Sequence, residues 1–145
     1  MVIVLAGVLA VFVAPRLNTS DFNARGFHDE TLAFLRFAQK SAIAQRRTVC
    51  VVVTAAGATL TINPGAGTTT CPGGVMPGPR GEPAATIPSL PAAKMTGINY
   101  STAPTNFHFN GLGQPSAAQT IRVASGGVPI AQIITVEAET GYVHD

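Results

Sequence analysis

The sequence predicts an α+β fold: a long N-terminal helix, partly transmembrane, followed by an antiparallel β-sheet or β-sandwich. Three observations carry that reading. Met1 to Pro15 is an unbroken apolar run with no charge before Arg16. From Asp29 to Arg47 apolar side chains recur at helical spacing, with acids at the start and arginines at the end, the order that the helix dipole favours. After Arg47 the pattern turns extended, and 15 glycines and 11 prolines among 145 residues break the remainder into short segments.

The apolar run, Val2, Ile3, Val4, Leu5, Ala6, Gly7, Val8, Leu9, Val11, Phe12, Val13 and Pro15, reads as a membrane helix over residues 1–15. At 1.5 Å per residue it would be about 21 Å long, short of the roughly 30 Å of a bilayer's hydrocarbon core, so the expectation is that its beginning is missing. A secretory signal peptide fits less well, because no basic residue precedes the apolar stretch and Pro15 spoils the cleavage site after Ala14. Residues 16–28, RLNTSDFNARGFH, read as a polar hinge with Gly26 as its weak point.

A globular domain of the kind suited to export is expected over 29–145, with a helix over 29–47 and a β domain over 48–145. On that helix Phe34, Leu35, Ala38, Ser41 and Ala42 share one side at 100° per residue. Arg36, Lys40 and Arg47 gather within about 40° on the other, alongside Leu32 and Ile43. Leu32, Arg36, Lys40, Ile43 and Arg47 therefore form a candidate contact face, basic with apolar residues between; a solvated helix face is the simpler alternative. Strands are expected at Thr48 to Thr54 and Ala58 to Ile62, joined at Ala56-Gly57, then at Ile98 to Tyr100, Asn106 to Phe109, Thr120 to Ala124, Ile130 to Val136 and Gly141 to His144. Asn63 to Lys94 reads as a long Pro/Gly-rich loop between them.

Only 11% of residues are charged and the net charge is +2, too little to argue for nucleic acid or acidic membranes. Outside the cytoplasm the two cysteines, Cys50 and Cys71, are expected to form a disulfide, closing a loop of about 20 residues and stabilising the fold by roughly 3 kcal/mol. His28, His108 and His144 lie far apart in sequence, and the last two meet only if their strands are neighbours. Glu137 and Glu139, two residues apart, read as solvated strand charges rather than a Ca²⁺ ligand pair, since no Asp/Asn-rich loop accompanies them. Ser125-Gly126-Gly127 is a turn and not a nucleophile elbow. No phosphate loop, dinucleotide fingerprint or Ser/His/Asp order appears, so neither an enzyme nor a cofactor is expected.

Gly7 and Pro15 within the apolar run resemble the glycine and helix-loosening proline of the type IV pilin N-terminal helix. The helix ending AQKSAIAQR (Ala38 to Arg46) and the turn FNGLG (Phe109 to Gly113) resemble the GspH/FimT family of minor pilins and pseudopilins. Asp21 through Cys50, with the ending ITVEAETGYVH, is similar to minor pilins of mannose-sensitive haemagglutinin (MSHA) type pili. The resemblance covers nearly the whole chain, strongly over Met1 to Val53 and weakly through Asn63 to Lys94.

What the resemblance implies is a mechanical role. Such proteins are inner-membrane precursors with one span and a periplasmic domain, cleaved and N-methylated by a prepilin peptidase, then assembled with other pilin or pseudopilin subunits into a filament or its tip complex. Ala6, Gly7 and Ala10 would permit close helix approach in such a bundle. By the alignment on Gly7 and Pro15, the peptidase site and an assembly-guiding glutamate would fall just before Met1. The expectation is that the upstream reading frame encodes them. A type II secretion pseudopilin is the alternative within the superfamily, and an adhesin using the Asn63 to Lys94 loop is another. A DNA-uptake subunit with Arg36, Lys40, Arg46 and Arg47 on phosphates is disfavoured. DNA-binding relatives carry a C-terminal Gly-Arg-x-Arg, whereas this chain reads Gly141-Tyr142-Val143-His144.

Overall fold

The structure, a computed structural model, describes residues 19–67, 70–71, 73–102 and 104–145. Helix α1 spans Thr19–Gln45. It is followed by β1 (Val49–Thr54), β2 (Gly57–Ile62), β3 (Gly74–Val75), β4 (Thr86–Ile87), a 3-10 turn at Ala92–Lys94, β5 (Ile98–Thr102), β6 (Phe107–Phe109), β7 (Gln119–Ser125), β8 (Val128–Pro129), β9 (Ile134–Val136) and β10 (Val143–His144).

The strands form two antiparallel sheets. One runs β3-β2-β1-β6, with β4 also on β2; the other runs β10-β9-β7-β5, with β8 on β7. In the first, β1 and β2 pair without slippage from Val49↔Ile62 to Thr54↔Gly57, so the turn is Ala55-Ala56. Alternation is legible in β7, where Gln119, Ile121 and Val123 are buried and Thr120 is exposed. The turn after it holds Gly126 and Gly127 at φ 58° and 82°, as a two-residue hairpin loop requires.

A stripe of α1 at spacing three and four, Ala24, Phe27, Thr31, Leu35, Ala38 and Ala42, is buried. It packs on β7 of one sheet and β1 of the other. The core is thus one cluster to which both sheets contribute, with Val49, Val51 and Leu60 from the first and Ile121, Val123, Ile134, Val136 and Val143 from the second. Ala38 and Ala42 present only methyl groups, which lets the helix backbone approach the sheets closely. Phe27 stacks on Tyr100 of β5 with ring centroids 5.0 Å apart. Thr31 Oγ1 donates to the Phe27 carbonyl at 2.8 Å, leaving the Tyr100 hydroxyl to donate to Thr31 at 3.1 Å.

Several expectations are corrected. Among the described residues no helix is long and apolar enough to cross a membrane. This overturns the expected partly transmembrane helix and, with it, an inner-membrane single-pass location. The physical reason lies in α1 itself, whose exposed side carries Asp21, Arg25, Asp29, Arg36 and Lys40 while its apolar side is covered by sheet. The span assigned to residues 1–15 lies outside the described residues. So does the start of the hinge, 16–18; its remainder is no hinge, because α1 runs unbroken through Gly26. The burial of Ala24, Phe27 and His28 around that glycine outweighs its helix penalty of about 1 kcal/mol.

At its other end α1 stops at Gln45 and not at Arg47. Arg46 takes a left-handed conformation, φ 50°. Its N–H donates to the Ile43 carbonyl and that of Arg47 to the Ala42 carbonyl, each at 3.2 Å, the pair of bonds that closes a Schellman ending. The segment expected to be a long loop contains β3 and β4, both held on β2. Leu60 N–H bonds the Ala85 carbonyl, Ala85 N–H bonds that of Met76, and Met76 and Ala85 are buried.

Two outcomes are expected. Nothing lies within 4 Å of a Cβ placed on Gly26, so Gly26→Ala should stabilise the fold by about 0.5–1 kcal/mol in urea denaturation. Burial pushes the Tyr100 hydroxyl up to about 12 from its ordinary 10, against the lowering effect of Thr31. The unfolded chain therefore loses that proton first, and stability is complete below pH 10 and falls as pH rises from 10 to 12, by about 2–3 kcal/mol. Tyr100→Phe should remove that decline, as measured by denaturation at stepped pH.

Candidate interaction surface

The carboxyl half of α1 is where separate parts of the sequence meet. Gln39, half-buried, donates from Nε2 to the Gly113 carbonyl and to the Thr140 carbonyl, each at 3.1 Å. Gly113 belongs to the FNGLG turn that follows β6, and Thr140 to the turn before β10. Asn110 shapes the first of these turns, its Oδ1 accepting from Leu112 N–H at 2.9 Å and Gln114 N–H at 3.0 Å. The turns also touch each other, since Gln114 Nε2 donates to the Glu139 carbonyl at 3.2 Å.

Two glycines make this junction close. Gly113 has φ 84° and Gly141 φ 68°, a region that side chains disfavour. A Cβ on Gly141 would run into the Gly113 carbonyl, and one on Gly113 would press on Ile43. A third glycine of the same turn, Gly111, lies against the Arg46 backbone that ends the helix, 2.9 Å from a hypothetical Cβ.

The expected contact face is only partly realised. Leu32 is buried in the core and lies off the exposed face. Arg36 is anchored, its Nε donating to the Val143 carbonyl of β10 at 3.0 Å. Arg47 is exposed but sits beyond the helix. What remains free on α1 is Lys40 with Ile43, the latter 46% exposed. Ile43 abuts the turn that carries Leu112, which is 79% exposed. Tyr142, 60% exposed, follows Gly141 and stacks on His144 with ring centroids 5.1 Å apart. Ile43 and the Leu112 turn give an apolar surface near Lys40, Arg46 and Arg47, cations for which the described residues provide no ion pair.

The other candidate residues fall as follows. Cys50 and Cys71 are bonded, with Cα atoms 5.8 Å apart, which staples the loop after β2 to the outer face of β1. Cys50 stands between Thr61 and His108 across the sheet. His108 and His144 are on different sheets. Glu137 and Glu139 are not on a strand, because β9 ends at Val136; Glu137 instead lies 3.0 Å from His144 Nε2. His28 is buried in α1, its Nδ1 3.1 Å from Asp29, with no partner for Nε2 among the described residues. No group of three His, Cys, Asp or Glu among the described residues is placed to hold a metal ion. The positioning residues that sequence reasoning missed are Gln39 and Gly141, although both lie in motifs it had singled out.

Compared with known proteins, the chain matches no family model, no curated protein and no solved structure.

The junction is testable by single substitutions. Gly141→Ala should destabilise the protein by more than about 2 kcal/mol, since both its φ and its space are unsuitable for a side chain. Gln39→Leu should cost about 1–3 kcal/mol by leaving two carbonyls without their donor. Urea denaturation followed by circular dichroism checks both.

Proposed function

We propose that this chain is a structural, non-enzymatic subunit of a type IV pilus or a related filament, a minor pilin or pseudopilin. The observation that supports it is the junction at Gln39. The helix ending AQKSAIAQR and the turn FNGLG, on which the resemblance to the GspH/FimT family rests, lie 74 residues apart at their bonded members Gln39 and Gly113. They touch each other, and with the terminal ETGY they hold α1 across both sheets. Motif residues that bind one another in this way act as a device for setting a helix on a β domain. Their common effect is to leave Lys40, Ile43 and Leu112 on an outer surface, where a neighbouring subunit with acidic and apolar side chains would fit.

A reading as a DNA-binding subunit draws on Lys40, Arg46 and Arg47, with Tyr142 as an exposed aromatic ring. Of the four cations first considered for phosphate, Arg36 is already engaged by the Val143 carbonyl. That weakens this reading relative to the filament one. Its distinguishing property would be affinity for DNA that falls steeply with salt.

The test uses Lys40→Glu with Ile43→Asp, two positions on the solvent side of α1. In cells that make the chain, the unsubstituted protein should co-purify with sheared filaments. The double variant should fold normally, by circular dichroism, yet fall several-fold in the filament fraction. Filaments that never contain the unsubstituted chain would sink the proposal, and salt-sensitive DNA retention by the purified protein would favour the second reading.

A further inference from the structure

Phe22 stands on the first turns of α1 and is 78% exposed, with the exposed charges Asp21 and Arg25 beside it. An aromatic side chain carries a large apolar area, and leaving it in water forgoes the stabilisation that its burial would give. Farther along the same helix a cleft of about 280 Å³ opens between α1 and residues 78–89, roomy enough for one aromatic ring. Phe34, Phe37, Ala85 and Ile87 floor it. At its rim stand Arg80 and Glu82, both exposed. Backbone N–H groups of Glu82 itself and of Arg80 hold the Glu82 carboxyl below its ordinary range, so the rim carries one fixed anion beside one cation.

Phe22 has no access to the cleft of its own chain. It precedes Phe34 by twelve positions on one continuous helix, about 18 Å at 1.5 Å per residue. The exposed ring and the cleft are two different patches on a rigid body. A contact between such patches joins unlike surfaces, and unless two copies engage each other reciprocally it repeats from copy to copy.

We propose that Phe22 of one copy seats in the cleft of a second copy, with Asp21 facing Arg80 and Arg25 facing Glu82. The match is apolar at the centre and charge-complementary along the rim that the 78–82 turn forms, the usual anatomy of a specific protein contact. The inference rests on the reading of this chain as a filament subunit and adds to it a head-to-tail contact between copies, separate from the surface around Lys40 and Ile43.

The experiment uses two differently tagged full-length chains in mild detergent, one carrying Asp21→Cys and the other Arg80→Cys. Cys50 and Cys71 are bonded to each other, so the introduced thiols are the only free ones. Under a mild oxidant the mixture should yield a disulfide dimer that contains both tags, and neither variant alone should do so. Adding Phe22→Ser to the first chain should lower that yield roughly tenfold or more, the effect of removing a buried aromatic anchor. No cross-link between tags, an equal cross-link within the Asp21→Cys variant alone, or insensitivity to Phe22→Ser would each overturn the contact. So would a cleft filled by some other protein, since the two tagged chains would then remain unlinked. Chains found in filaments without the cross-link remove the contact and leave the filament reading. A cross-link in a chain never found in filaments does the reverse.

Discussion

Helix α1 is covered by two sheets along one stripe of small and large apolar residues, and the remainder of the fold is arranged to keep that stripe covered. Phe27, Leu35, Ala38 and Ala42 are all but inaccessible to water. Burying a leucine or phenylalanine side chain is worth about 1.5–3 kcal/mol, so these contacts outweigh local preferences along the helix. The case of Gly26 illustrates the scale. Its penalty of about 1 kcal/mol is smaller than the gain from Phe27 next to it, and the helix continues. The same stripe carries the polar link between Thr31 and Tyr100, which ties α1 to the second sheet while the alanines lie close to both.

Coverage of one side determines what the other side offers. Once α1 is seated, Gln39 reaches two carbonyls from turns that are remote in sequence, and glycines at 113 and 141 allow those turns to come near enough. The turns then leave Leu112 and Tyr142 exposed, Leu112 in the turn that abuts Ile43, and the Schellman ending at Arg46 adds cations after the helix. An outer surface of mixed apolar and basic character is thus a by-product of how the helix is held. On the opposite flank the segment from Gly78 to Ser89 leans on the helix without filling the space, with Ser89 N–H bonded to Glu30 Oε1 at 2.8 Å. That leaves the cleft above Phe34 and Phe37.

The disulfide has a different task. It fastens the stretch after Ile62, where Asn63 holds its own loop through the Thr70 carbonyl at 2.9 Å and the Gly65 N–H at 3.1 Å. Few apolar residues are available there, and a covalent staple substitutes for a core.

By itself the sequence determined that a helix is followed by antiparallel strands, though not the partly transmembrane helix it predicted, because hydrophobic period and turn residues are local signals. It also located the first two strands within a residue, the Gly126-Gly127 hairpin and the partnership of the only two cysteines. Tertiary structure decided what local signals do not encode. The helix Thr19–Gln45 passes through Gly26 because the sheets bury what surrounds it, a fact that depends on strands a hundred residues away. Leu32 reads as a surface neighbour of Arg36 on a helical wheel, yet it is buried because two sheets cover a wider arc than one would. Gln39 looks like any polar helix residue, and Gly141 like any turn glycine. Their roles exist only where three distant segments come within hydrogen-bonding reach.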